Sequence, residues 1–283
     1  MYSPLGDVLL KSGEQMQVGV VRGPDPEWKP ALTVFLGHKG PPWMAQIAGA
    51  LDGPLDGLES RFYVGQIAGE VVCHIMVVGS RGVGILGHVF TLPEQRQKGA
   101  ARSLMAFVME DSRRRGFTVL TLGTGFDSPA YWIYHGFGFR SVTEESGLML
   151  WQAEPDALNT IFRQAPTHTR PVLWDDWAFF NLMAVQPVEK AESDPRCALL
   201  GLKGQGSVEG SFIAFQLRRA EEPRLKAQAL VTEVGFTVGW ALIGPPDSQS
   251  DTPVLSIHTL PNFVDQRPEL LRAVGAQHFG WKE

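Results

Sequence analysis

Between Thr91 and Val108 the chain reads TLPEQRQKGAARSLMAFV: an apolar end, a short polar loop, a turn of small residues and then an amphipathic run. Pro93 stops the preceding strand, and Ala101, Leu104, Met105, Val108 and Met109 recur at helical spacing. Arg96, Gly99 and Ala101 therefore form R-x-x-G-x-A where a strand hands over to a helix. The first N–H groups of a helix lack internal partners, and the helix dipole adds partial positive charge there. An anion reaches those groups only if side chains stand clear. Gly99, Ala100 and Ala101 leave that room, while Arg96, Lys98 and Arg102 add charge. Alone, so short a pattern also fits a helix whose small residues pack tightly on a sheet, which is the commoner case.

The bulk properties narrow the class. A length of 283 residues suits one large domain or two ordinary ones. Hydrophobic residues at 44% and charged residues at 19% are globular proportions. A net charge of -5 without a long basic run argues against a nucleic-acid surface, and Arg113–Arg115 read as the last turn of the helix, closed by Gly116. Cys73 lies in an apolar strand pattern and Cys197 far from it, so no disulfide is expected, and no Cys/His spacing suits a metal. The N-terminus lacks a secretory pattern and no segment is long enough to span a bilayer. A soluble, cytoplasmic protein without membrane partners is expected.

Periodicity predicts a first strand at Met16–Gly23, a helix opened by Asp25 and Pro26, and a short helix at Pro41–Leu51. Adjacent strands follow within Arg61–Gly79, then another at Gly84–Pro93. After the helix come a strand at Phe117–Thr124, a short helix capped by Asp127 and closed by Gly136, and a strand beginning in FGFRSV. The order predicts an α/β (α+β) layer fold, a mixed sheet with flanking helices.

Past Trp151, AEPDALNTIFRQAP reads as a helical connector. THTRPVLWDDWAFFNLMA repeats the strand-then-helix signature, QALVTEVGFTVGWALIGP and VLSIHTLP read as strands, and PELLRAVGAQ as a helix. Thr259-Leu260-Pro261 repeats Thr91-Leu92-Pro93 in the same place between strand and helix. An internal repeat is expected, with domains at 1–153 and 154–283. Counting from the shared tripeptide sets Val264, Arg267 and Glu269 opposite Arg96, Gly99 and Ala101, with Pro268 removing an amide. A carboxylate and a missing donor would not hold a phosphate. The second half, which ends soon after its helix, is expected to be a degenerate copy that completes the sheet, walls a pocket or forms a homodimer.

Two motifs together carry a family resemblance. Arg96-Gln97-Lys98-Gly99-Ala100-Ala101 follows a strand and opens a helix, and AYWIYHGFGF (Ala130–Phe139) supplies a short helix with Tyr134 followed by Gly138-Phe139. In this order they resemble the GNAT superfamily of acyl-CoA-dependent N-acyltransferases, over residues 16 to about 152. The resemblance implies a twisted sheet whose fourth and fifth strands splay apart around acetyl-CoA. It implies that pantetheine pairs with Val89, Phe90 and Thr91 and that the pyrophosphate lies on residues 96 to 101, with Arg102 close behind; no metal is expected, since no Cys/His spacing suits one.

Acyl transfer to an amine needs a neutral amine, a donor for the thioester oxygen and a proton for the departing thiolate. By resemblance, the amide near Val89 is the oxyanion contact and Tyr134 the donor to sulfur; a core role for Tyr134 beside Trp132 is the alternative. Members that place a base on the fourth strand carry Glu or His where this chain has Gly87 and Ile85. Alternation points His88 away from the Thr91 face unless a bulge intervenes. His74 reads as a satisfied core residue, His135 as cover for a helix end, and no base is identified. Trp28, Phe35, Trp43 and Met44 fall where the family shapes its acceptor pocket, although aromatics at this spacing are usually core. The expectation is an N-acetyltransferase acting by direct attack on a small-molecule or peptide amine; a non-catalytic acyl-CoA sensor or scaffold is the alternative.

Overall fold

A computed structural model of the protein describes residues 1–184, 208–244 and 254–276, and the chain divides into two compact units after Ala157. Cys197, Pro245 and residues 277–283, which entered the expectations above, lie outside the described residues.

The first unit runs β1 (Tyr2–Leu9), β2 (Gln15–Arg22), α1 (Lys29–Phe35), α2 (Pro41–Asp52), β3 (Glu59–Ile67), β4 (Glu70–Ser80), β5 (Val83–Thr91), α3 (Ala100–Arg114), β6 (Val119–Gly123), α4 (Pro129–Gly136), β7 (Arg140–Ser141) and β8 (Leu148–Gln152). Its eight strands form one mixed, twisted sheet in the order β1-β2-β3-β4-β5-β6-β8-β7, and β5 with β6 is its parallel pair. Alternation sorts the side chains into two layers. Val20, Tyr63, Ile75, Val77 and Leu86 meet Leu104, Met105, Val108 and Met109 of α3 in one buried cluster. Phe62, His74 and Met76 point the other way, towards α1 and α2, and Phe62 lies 6.0 Å from the His74 ring. The Asp25 N–H donates to the Leu51 carbonyl at 2.9 Å and ties the end of α2 to the chain leaving β2.

A buried polar network fixes α3 to the sheet. Asp111 accepts from the Tyr63 hydroxyl at 2.7 Å, from Arg61 at 3.0 Å and from Arg114 at 2.8 Å, and Glu59 pairs with Arg61 and Arg115. Burial pushes the Asp111 carboxyl up, but its hydrogen bonds from Arg114 and Tyr63 and the charge of Arg61 outweigh this and hold it below the ordinary carboxylate value.

Several local expectations are corrected. The chain's first strand is Tyr2–Leu9, masked in the sequence by Pro4 and Gly6, which flank a register shift on this edge strand. The first helix begins at Lys29 with Pro30 in its first turn; Asp25 pairs with the N-terminal ammonium at 2.6 Å and accepts from the Trp28 N–H, outside the helix. Ala100 is the small residue buried in the core cluster, not Ala101. Ser128 caps α4 by accepting from the Tyr131 N–H at 3.1 Å, whereas Asp127 accepts from Trp132 Nε1.

The connector after Trp151 shortens to α5 (Ala157–Ile161). In the second unit follow β9 (Thr167–Pro171), α6 (Trp177–Ala184), α7 (Val208–Glu221), β10 (Lys226–Thr232), β11 (Thr237–Gly244), β12 (Val254–Thr259) and α8 (Arg267–Val274). Its antiparallel sheet has the order β12-β11-β10-β9. Helix α7 had no counterpart in the sequence reading. With it, the run β9-α6-α7-β10-β11-β12-α8 has the element order of β2-α1-α2-β3-β4-β5-α3.

The likeness extends to hydrogen bonds. Val72 is skipped in the β3–β4 register and accepts at its carbonyl from the Leu92 N–H at 3.0 Å; Val238 is skipped in the β10–β11 register and accepts from the Leu260 N–H at 3.0 Å. The two sheets differ in the strand before their Thr-Leu-Pro. Strand β12 pairs with β11 in unbroken register, whereas β5 opposes Ile75 of β4 with both His88 and Val89.

Candidate active site

The site begins where two strands part. Parallel pairing of β5 with β6 covers Val83–Ile85 against Val119–Thr121 and then stops, although β5 runs on to Thr91. From Leu86 onward β5 is bonded along its β4 edge, and its other edge faces a widening fork.

In that fork lies the bulge. His88 has φ +50°, a left-handed value rare for a non-glycine residue, and the extra residue it introduces turns its ring edge-on to Trp43 at 5.0 Å, on the α1–α2 side. The His88 carbonyl accepts from Nδ1–H of His74 on β4 at 2.9 Å. A trans peptide sets its N–H opposite its C=O. With the His88 carbonyl bonded to the His74 ring, the Val89 N–H points away from that ring. His74 is thus half satisfied: Nε2 is buried without a partner among the described residues, and burial pushes the imidazole down to about 4. A neutral ring with its proton on Nδ1 is the form that can make this bond.

The loop after β5 supplies a second donor set. Gln97 and Gly99 both take positive φ, +62° and +92°, and Gly99 is the N-cap of α3. A Cβ at Gly99 would find open space, with Lys11 Cγ at 3.8 Å, so the backbone angle rather than crowding selects glycine. The Lys98 carbonyl is turned outward to accept from the Lys11 N–H at 3.1 Å. The first bond of α3 runs from the Ser103 N–H to the Gly99 carbonyl, leaving the N–H groups of Ala100, Ala101 and Arg102 without partners inside the helix. The three flanking cations differ in setting. Arg96 Nε donates to the Thr91 carbonyl at 3.2 Å and its guanidinium lies over Phe90, while Lys98 pairs with Glu14 at 2.9 Å. Arg102 is exposed, lies 5.7 Å above the Phe137 ring and would have Nη1 3.5 Å from a Cβ placed on Gly136. That contact brings the start of α3 to the end of α4.

Helix α4 carries Tyr134 inward. The residue is buried in the cluster that also holds Ala100 and Leu104 and packs edge-on to Phe139 at 6.2 Å. Its hydroxyl has no hydrogen-bond partner among the described residues, and burial pushes its pKa well above the ordinary phenol value. Tyr131, by contrast, is committed to Ser141 at 2.9 Å. Val89 and Leu92 pack against the same cluster, so the bulge, the loop and Tyr134 share one core.

On the opposite face of β5 the turn Gly37–Lys39 closes the approach between α1 and α2. The His38 ring lies 4.1 Å from Phe90, and Phe35 meets the same ring at 5.2 Å. Burial and then the neighbouring Lys39 charge hold His38 below its ordinary value, so it is neutral near pH 7. Burial drives His88 down to about 3. Trp28 and Phe35 line a groove of about 480 Å³ between α1 and the β3–β4 hairpin, whereas Trp43 lies against His88 instead. His38, Lys39 and the positioning role of His74 escaped the sequence reading. The stretch between α1 and α2 reads only as Gly/Pro-interrupted, and a histidine inside a strand gives no sign that it holds a neighbouring backbone.

Among the described residues no cluster of three or more His, Cys, Asp or Glu could hold a metal, and no helix is long and apolar enough to cross a membrane. Comparison with curated proteins gives no match. Solved structures similar to this chain include the GNAT domain of PAT from S. lividans, 12% identical, covering 52% of this chain and 96% of that one at a TM-score of 0.40. A GNAT-family acetyltransferase from Staphylococcus aureus Mu50 is 13% identical over 48% of this chain and 99% of its own, at 0.39. The ribosomal-protein-S18-alanine N-acetyltransferase of Escherichia coli is 15% identical over 47% and 93%, at 0.36. The model of the acetyltransferase (GNAT) family matches residues 37–139, from the turn after α1 through the forked strands and the α3 loop to the end of α4, and the chain carries a GNAT-family acetyltransferase domain.

Proposed function

We propose that the first unit transfers an acetyl group from acetyl-CoA to a primary amine by direct attack through a tetrahedral intermediate. The observation that carries this reading is the bond from His74 to the His88 carbonyl, which turns the Val89 N–H away from His74 and supports its assignment to the fork. A donor held there before the substrate arrives can meet the charge that develops on the thioester oxygen, without reorganisation during the reaction. Pantetheine would lie along the free edge of Val89, Phe90 and Thr91. The pyrophosphate would lie on the amides of Gln97 to Ala101, with Arg96, Lys98 and Arg102 at its rim. The Tyr134 phenol, kept protonated by burial and free of other bonds, would give its proton to the departing thiolate. The acceptor would enter from the α1–α2 side, past Phe35 and His38.

One observation favours a second reading, an acyl-CoA sensor or scaffold without turnover. Strand β5 carries no carboxylate, and its single imidazole, His88, is a weak base because burial drives it down to about 3. Calorimetric titration with acetyl-CoA followed by a screen of small amines and peptides separates the readings. Binding with release of free thiol upholds the enzyme; tight binding without any acetylated product upholds the sensor.

The second unit we read as a degenerate copy of the first, supported by the shared element order and the matching Val72–Leu92 and Val238–Leu260 bonds. It lacks the means to hold the same cosubstrate. Strand β12 has no bulge, Gln266 before α8 is right-handed where Gly99 is left-handed, and Pro268 and Glu269 occupy the first turn.

A further inference from the structure

The described lysines of the first unit have different surroundings. Lys29 is bonded to Asp52 at 2.6 Å and Lys98 to Glu14 at 2.9 Å. Lys39 has no carboxylate partner among the described residues, and it is half-buried rather than extended into solvent. Its place is fixed by its neighbours. The Lys39 N–H donates to the carbonyl of fully buried Leu36 at 3.0 Å, and the adjoining His38 ring rests 4.1 Å from Phe90, the residue that follows Val89. The Lys39 charge adds to burial in lowering the His74 and His88 imidazoles. His38, His74 and His88 are the titratable groups around it, from the turn, β4 and β5. The turn therefore sets Lys39 next to the residue that packs on Phe90, one position past Val89, with no carboxylate partner among the described residues to keep its amine charged. Burial lowers its pKa further and raises the fraction present as free amine.

We infer that Lys39 is a self-acetylation site: the domain transfers acetyl from bound acetyl-CoA to its own Lys39 Nζ. This rests on the reading of the fork as an acetyl-CoA site. The neutral Nζ attacks the thioester carbonyl carbon, a C–N bond forms and the C–S bond breaks. The thiolate takes a proton, the nitrogen loses one to water, and the products are N-acetyl-lysine and free coenzyme A. The turn loses one positive charge beside His38 and His88, so both imidazoles become easier to protonate.

The test is to incubate the full chain with acetyl-CoA alone, follow intact mass and thiol release, and map the modified peptide. In parallel, acetyl-CoA binding is measured by calorimetry. The expected result is a single addition of one acetyl group at Lys39, at least tenfold faster than at Lys11, Lys29 or Lys98. It is absent in Lys39→Arg and slowed to the rate of the other lysines in Ala101→Glu, which blocks the loop. The His38 NMR titration should move to higher pH after modification. Binding without modification of Lys39, or uniform labelling of all lysines unaffected by Ala101→Glu, overturns the self-acetylation while leaving the acetyl-CoA site in place. No binding overturns both.

Discussion

Nδ1 of His74 and the carbonyl oxygen of His88 are 2.9 Å apart across the β4–β5 pair, and this bond joins a side chain on one strand to a backbone distortion on the next. The left-handed angle at His88 is unfavourable for a non-glycine residue, so something must hold it. His74→Ala should destabilise the fold by about 1–3 kcal/mol, the range for a buried polar group losing its partner. It should also weaken acetyl-CoA more than coenzyme A lacking the acetyl group. Urea unfolding and paired calorimetric titrations check this. Equal loss for both ligands would detach His74 from the acetyl contact.

The same histidines set a pH dependence. His74 and His88 are lowered to about 4 and about 3, below the value near 6.5 expected of an unfolded histidine. Below that value the unfolded chain takes up protons that the folded chain refuses, so folding stability falls as pH falls from about 6.5 towards 4. It is fully present above that range. His74→Gln should flatten the slope of unfolding free energy between pH 6.5 and 4; an unchanged slope would rule out His74 as its source.

Asp111 is expected to matter more for stability than for catalysis. Removing one partner of a buried charged network strands the others, typically at about 3–5 kcal/mol. Asp111→Ala should therefore lower the denaturant midpoint sharply, by leaving the Tyr63 hydroxyl without its acceptor and Arg61 with Glu59 alone. Because the Asp111 carboxyl is held below its ordinary value, its contribution persists above the unfolded carboxylate range near 4 and is lost as pH falls through its depressed folded value. Acid titrations of the parent and Asp111→Asn should converge at low pH.

Ala101→Glu places a carboxylate beside amides assigned to phosphate and should weaken acetyl-CoA by tenfold or more, which is about 1.4 kcal/mol or more of binding free energy. Calorimetry should give one site per chain before the substitution. Two sites would mean that α8 and its Glu269 tolerate a phosphate after all.

Tyr134→Phe should leave thermal unfolding nearly unchanged, since the hydroxyl makes no bond to the described residues. If a turnover assay is found, kcat should drop by about a hundredfold, within the usual worth of a placed proton donor, with acetyl-CoA affinity preserved. A stability loss with intact turnover would assign the ring to packing alone.

The strand-to-helix junction was readable because small residues there leave a pattern, and the structure gives Gln97 and Gly99 positive φ at that junction. The fork was implied by the family resemblance rather than by spacing. What stayed hidden depends on distant partners. Strand β1 was disguised by Pro4 and Gly6, whose penalties are small on an edge. The cap of α4 fell to Ser128 instead of Asp127, although both types cap helices equally well. Whether a bulge stood at His88 was left open, because alternation alone does not reveal an inserted residue, and His74 was read as core because nothing local marks its acceptor.

The bulge at His88 and Val89 also makes function a matter of phase. Strand β5 carries one residue more than an even ladder against β4 would hold, whereas β12 keeps an even count against β11 up to the same Thr-Leu-Pro. A ladder with one residue too many must turn a peptide out of line, and here the turned peptide gives its carbonyl to the His74 ring. Counting rather than chemistry separates the two strands at this point, for no unusual side chain is needed to present a backbone amide. Deletion of one residue would restore step between β5 and β4, and β5 would then run against its neighbour as β12 runs against β11.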